Sequence, residues 1–358
     1  MQDATRPLGV TEDSDHIVAA AAQCRDRLVG QGIDLTAYTG AEDAADVNDI
    51  RLALGYAQVD LLGVSYGTRL ALTVVRDFPA IVHSIVLDSV LPLQENVYQQ
   101  QPGTFDRALN LLFDACTTDA KCAAAYPTLK RDFSAVVRQL NAQPVTVAVA
   151  DPTGAGHDMV ITGDRFVVQV LNWLYYPTDM QYIPAVIEQL KGGTHSLLAQ
   201  LMKDSLGVLF SHSVGMNYSI VCSDIVPFER YADVAAAVQE VLPEIRAAFP
   251  AVRYRFGICD MWPHGAMDPR EHQAVTSDVP TLVLESANDP VTPPAYGQEA
   301  AKTLSRSIYV ETPGIGHSVV SNGGGCAQTL LRAFYADPTH QPPTACIGGL
   351  GVIFVTGV

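Results

Sequence analysis

The motif Gly63-Val64-Ser65-Tyr66-Gly67 sits where an apolar run meets a helical pattern, and this junction constrains the fold more than any other feature of the chain. Val59 to Val64 reads as a short buried strand, and Thr68 to Asp77 carries apolar residues at helical spacing until Phe78-Pro79 stops it. Strand, sharp turn and helix in that order lift the Ser65 hydroxyl above the strand ends. The glycines two positions either side of it are expected to remove side chains that would clash in so tight a turn. The backbone N–H of Tyr66 points into the same space at a helix N-terminus, which favours developing negative charge and makes it the expected oxyanion donor.

A serine nucleophile needs a base, and the base needs an orienting carboxylate. Three further runs read as buried strands: His83 to Asp88, Pro280 to Glu285 and Ser307 to Glu311. Asp289 follows the third of the four strands, in Ser286-Ala287-Asn288-Asp289-Pro290-Val291-Thr292-Pro293. His317 follows the fourth, in the glycine-rich stretch Pro313-Gly314-Ile315-Gly316-His317-Ser318. Both lie just past strand carboxyl ends, where the sites of open parallel sheets gather, and Ser65, Asp289 and His317 form the expected triad. Asp88, ending the second strand, is the runner-up carboxylate for the triad but reads better as a capping aspartate. His83, His157, His195, His212, His264 and His272 read as structural or solvated, since none has a matching carboxylate loop.

The remainder organises around this core. Asp13 to Leu28 and Ala41 to Leu54 read as helices, the second ended by Gly55. From Ser89 to Val279 the pattern is mainly helical, with helices expected at Phe105 to Cys116, Leu129 to Leu140, Gly163 to Trp173 and Tyr231 to Phe249, and strands at Val145 to Ala150 and Met159 to Thr162. An insertion this long is a domain of its own, so the expected division is a first core part at 1–95, a helical cap at 96–275 and a second core part at 276–358.

Charge narrows the partners. With 22 Lys plus Arg against 38 Asp plus Glu, the chain has no electrostatic footprint for nucleic acid. No apolar run is long enough for a membrane span, and Met1 to Val10 lacks a signal-peptide pattern. Neither a phosphate loop, a dinucleotide fingerprint nor a zinc-protease helix occurs, so no cofactor is expected. Without a CxxC pair a zinc site is not expected, and the acidic run Glu42 to Asp49 reads as a solvated face. Among the seven cysteines, Cys116 and Cys122, Cys222 and Cys259, and Cys326 and Cys346 are spaced like disulfide partners, leaving Cys24 over. Disulfides suit an oxidising, secreted or envelope location.

Taken together, the motifs resemble the secreted tripeptidyl-aminopeptidase-like branch of the proline iminopeptidase-related serine peptidases. The resemblance covers nearly the whole chain. It rests on Tyr38-Thr39 with Asp46, Arg51-Leu52-Ala53-Leu54-Gly55-Tyr56, Gly63 to Thr68, Val86-Leu87-Asp88-Ser89-Val90, Cys222-Ser223-Asp224, Cys259 with Trp262, and the Asp289 to Pro293 and Gly314 to His317 loops. It implies an α/β-hydrolase fold, a doubly wound and mostly parallel sheet under a large helical cap. It also implies the triad Ser65, Asp289 and His317, the cysteine pairing above, and release of short peptides from free N-termini through an acyl-enzyme. For such a substrate, Asp224 and Glu229 are candidates to receive the amine, while Trp173, Tyr176 and Trp262 stand as pocket walls against the more ordinary reading as core.

The chain departs from that family at its start, where members carry further strands, a glycine-rich loop with a second oxyanion donor, and an Asp-x-Arg-Gly strand end. The sheet is therefore expected to be truncated at its N-terminal strands, with an exposed edge open to a partner chain or a dimer contact. Losing one oxyanion donor typically costs about 100- to 1,000-fold in turnover. Two other functions compete with the exopeptidase: a carboxylesterase using the same triad on short acyl esters, and an inactive hydrolase-fold protein with a binding role.

Overall fold

The computed structural model describes residues 6, 10–150, 154–202, 213–246 and 248–357. Four parallel strands form the central sheet in the order β1 (Val59–Val64), β2 (Val82–Asp88), β5 (Thr281–Ser286) and β6 (Ser307–Thr312). All six residues of β5 are buried, as expected for an inner parallel strand covered on both faces. The two-residue period of β2 divides its side chains. Ile85 and Leu87 face a layer containing Val74, Val75 and Val283, and Val86 faces one with Leu282, Leu284, Leu330 and Phe334. Helix α3 (Tyr66–Asp77), backed by α2 (Gly40–Leu54), covers the first face, and the helix Gly324–Ala336 covers the second. Preceding these is α1 (Val10–Gly30).

Among the described residues, strands β1 and β6 are the sheet edges. Leu62 on β1 is exposed, as are Ile50, Leu52 and Leu54 on α2 and Tyr56 just beyond it.

Between β2 and β5 the chain is mainly helical and builds its own apolar core. Aromatic rings run through it in series, from Phe113 to Phe133, Phe166 and Trp173, with centroids 5.7, 6.2 and 6.2 Å apart. They are carried by α4 (Val97–Thr118) and the helices Leu129–Ala142 and Gly163–Leu174, while β3 (Val145–Ala150) and β4 (Gly156–Ile161) pair antiparallel. The expected helix from Tyr231 to Phe249 is broken into Tyr231–Ala237, a 3-10 turn at Val238–Glu240 and Pro243–Arg246. Pro243 supplies no N–H and its ring obstructs the preceding turn. Of the histidines, His212 lies outside the described residues.

Disulfides join Cys116 to Cys122, Cys222 to Cys259 and Cys326 to Cys346, and Cys24 is free. Among the described residues no helix is long and apolar enough to cross a membrane, and no cluster of His, Cys, Asp and Glu is arranged to hold a metal ion.

Candidate active site

Ser65 occupies the turn between β1 and α3 with φ 56° and ψ −122°, a strained conformation for a residue with a side chain. Gly63 is required by contact, because a Cβ there would lie 2.4 Å from the Gly67 carbonyl oxygen. Gly67 is not: a Cβ would meet nothing within 4 Å, which corrects the expectation that both glycines relieve a clash. The Ser65 N–H donates to the Asp88 carbonyl at 3.0 Å, so the turn hangs from the end of β2. Tyr66 is the first residue of α3, and its N–H has no carbonyl four residues back within the helix.

Past β5, Asp289 is fully buried, and its two oxygens do different work. Oδ1 accepts the N–H groups of Val291 and Thr292, both at 2.9 Å, which closes the turn. Oδ2 accepts the Thr292 hydroxyl and pairs with Nδ1 of His317, each at 2.8 Å. The Arg107 guanidinium donates to the Ala287 and Asp289 carbonyls and fixes the loop from behind. Asn288 Oδ1 accepts the Gly314 N–H at 2.8 Å and draws in the loop after β6.

Burial alone would pull the His317 pKa down, but the charge and hydrogen bond of Asp289, helped by the charge of Asp88, outweigh it and raise it above the ordinary value. Burial would likewise raise Asp289, yet His317 and the two turn amides hold it below the usual carboxylate range. The inserted helical segment reaches this loop directly. The His317 N–H donates to the Tyr175 carbonyl at 2.8 Å, and the two rings stand 4.9 Å apart. Gly316, at φ +72°, makes the approach possible, since a Cβ would lie 2.6 Å from the Leu174 and Tyr175 carbonyl oxygens.

Asp88 turns out to join the two halves. While its carbonyl holds the Ser65 N–H, its buried carboxylate accepts the N–H groups of Val319 (2.8 Å) and Val320 (2.9 Å) and the Ser318 hydroxyl (2.9 Å). It caps the short helix Val319–Asn322 right after His317, and the expectation of a cap is met by one across the sheet. The serine turn and the histidine loop thus share one anchor. The Ser65 hydroxyl itself is half-buried and forms no hydrogen bond with another described residue.

The other sequence candidates separate. Asp224 accepts the Gly40 N–H at 2.7 Å and the Ser223 hydroxyl at 2.6 Å, and burial raises its pKa to about 6. Glu229 accepts the N–H groups of Tyr98 (3.1 Å) and Gln99 (2.8 Å) at the start of α4, and burial raises its pKa to about 7. Each carboxylate serves as an N-terminal cap for a helix remote in sequence. Trp173 and Trp262 are core residues rather than pocket walls: the first closes the aromatic series, and the second packs at Cys222–Cys259 with its indole donating to Ser219 at 2.9 Å. Tyr176 is exposed. Tyr175, which touches His317, also lines a separate cavity with Arg255 and Tyr254, and no local signal in the sequence marks these three.

A parallel sheet flanked by helices, with a serine on the first strand-to-helix turn and an aspartate and histidine past the last two strands, is the α/β-hydrolase fold. A family model described as alpha/beta hydrolase fold matches residues 8–115, and one described as TAP-like protein matches residues 247–346. The chain is 24% identical over 353 residues to serine protease Hip1 of Mycobacterium tuberculosis, covering 94% of this chain and 66% of that protein. It is 23% identical over 352 residues to the putative hydrolase YuaR of Escherichia coli, covering 88% and 64%. The chain therefore spans just under two thirds of the length of these relatives. Among solved structures it is similar to the α/β hydrolase MGS-M2 from a deep-sea metagenome library (TM-score 0.39, 13% identity, 84% of this chain and 73% of that one). It is also similar to a thermophilic esterase of Thermogutta terrifontis (TM-score 0.36, 15% identity, 84% and 74%).

Proposed function

We propose that this protein is a serine exopeptidase that releases short peptides from free N-termini through an acyl-enzyme. The observation that carries the reading is the double anchor at Asp88, which holds the strained Ser65 turn and the loop of the Asp289-paired His317 to one point. In this mechanism the Ser65 hydroxyl attacks the scissile carbonyl carbon and passes its proton to Nε2 of His317, while Asp289 steadies the imidazolium through Nδ1. The Tyr66 N–H stabilises the oxyanion. His317 returns the proton to the leaving amine, and a water activated by the same base then releases the acyl group. The mainly helical insertion serves as a cap that selects the substrate, and the three disulfides support a secreted or envelope location.

Carboxylesterase activity on short acyl esters is the second reading. It is favoured by the engagement of both Asp224 and Glu229 with backbone amides, which occupies the carboxylates an N-terminal amine would seek. Labelling by a fluorophosphonate, with the adduct located by mass spectrometry, tests the hydrolase assignment: modification at Ser65 is expected, and Ser65→Ala should abolish it. A folded wild-type chain that takes no label would leave a binding role in place of catalysis. Rates on peptidyl amides against acyl esters then separate peptidase from esterase.

A further inference from the structure

Arg255 lies on the helix Arg253–Cys259, and its guanidinium carbon stands 5.0 Å from the ring centroid of Tyr98 and 5.1 Å from that of Tyr254. Stacking of this kind holds the plane of the cation; one of its donors serves the Tyr98 hydroxyl, and the guanidinium has further N–H groups for a ligand. Among the described residues no aspartate or glutamate forms an ion pair with it, although the chain carries 38 acidic residues against 22 basic ones. Other buried or half-buried arginines differ. Arg69 donates to the Leu93, Asp224 and Glu271 carbonyls, Arg76 pairs with Asp77 and Glu271, and Arg107 holds the Ala287 and Asp289 carbonyls.

Arg255 instead lines a mostly apolar cavity of about 210 Å³ together with Gln101, Asn172, Tyr175 and Tyr254, and the triad residues lie outside its lining. Tyr175 is also the residue whose ring and carbonyl meet His317. Arg255 is half-buried and has no acidic partner among the described residues, so a ligand anion would supply the counter-charge it lacks. Such a group gains a planar fork of donors that matches a carboxylate.

We propose that Arg255 is the receptor for a carboxylate of the substrate, so that the preferred substrates are short acyl or peptidyl compounds bearing a free acid group. This deepens the serine hydrolase reading and rests on it for the word substrate; the receptor itself can be tested without turnover. In Ser65→Ala protein, glutarate titrated calorimetrically is expected to bind, and Arg255→Gln in that background should weaken binding by about tenfold or more. Equal binding in the two proteins, or none in the first, overturns the proposal.

With the active chain, the ratio of kcat/KM for p-nitrophenyl hydrogen glutarate over p-nitrophenyl valerate should exceed one. It should fall about tenfold or more in Arg255→Gln, be partly kept in Arg255→Lys and invert in Arg255→Glu. A ratio unmoved by all three variants, each with wild-type circular dichroism, also overturns it. Comparing Ala-Ala-Glu with Ala-Ala-Gln, each as free acid and as C-terminal amide, tells a side-chain acid from a chain terminus. Failure of fluorophosphonate labelling would remove the catalytic reading while leaving the calorimetric result to decide on the receptor.

Discussion

Asp289 gives one oxygen to its own turn and the other to His317, so replacing it separates orientation from folding. Asp289→Asn keeps the shape of the side chain but presents an amide to Nδ1, and kcat is expected to fall about 10,000-fold. The pH profile gives a second readout. His317 must be neutral to accept the Ser65 proton, and its raised pKa puts the acid limb of kcat/KM above the ordinary histidine value of about 6.5. Without the Asp289 charge, burial is the dominant influence left and the limb should move to lower pH; a limb that stays in place would deny the pairing its electrostatic role. Gly316→Ala tests the neighbouring contact: at φ +72° and against two carbonyl oxygens, the added methyl should lower both Tm and kcat, read by calorimetry and an ester assay.

Elements are held together here by buried acids acting at helix starts far away in sequence. Glu229 caps α4 from about 130 residues downstream, which explains why the helix begins at Val97 and runs through Pro102, where the sequence pattern supports a start only at Phe105. The strand positions were readable because inner parallel strands are continuously apolar, and the β5 run needs no partner to be recognised. A cap delivered by a distant chain segment leaves no local trace, and neither does the anchoring of the His317 loop by Asp88, 230 residues before Ser318. Ser65, Asp289 and His317 stood out in sequence because each lies beside its own strand end. Arg255 and Tyr175 did not, since their positions follow from how inserted helices pack.

These buried acids also set a pH dependence. Asp224 and Glu229, raised to about 6 and about 7, hold protons more tightly folded than unfolded, as does His317. Their contribution is complete below their unfolded pKa values and is lost as pH rises through the folded ones. Denaturant unfolding should therefore show stability declining from about pH 4 to pH 7 for the two acids, by at most about 1.4 kcal/mol per pH unit for each group, with a shallower slope in Glu229→Gln.

Across the whole molecule, two surfaces of β1 carry opposite demands. One side pairs with β2, while the outer edge and the exposed Leu62, with Ile50, Leu52 and Leu54 nearby, present apolar surface and unpaired backbone to solvent. Such an edge promotes self-association, so light scattering should show mass rising with concentration and Leu62→Lys should reduce it. Reduction of the disulfides should act elsewhere, since Cys222–Cys259 and Cys116–Cys122 lie in the inserted segment and Cys326–Cys346 behind the second face of the sheet.

The link between the inserted segment and the core runs through the main chain of Tyr175, whose carbonyl takes the amide of His317. If the inserted segment serves as the proposed cap, the part of the chain that selects the substrate is also the bearing on which the base rests. A shift of the insertion away from the core at this joint would then also remove a support of the imidazole.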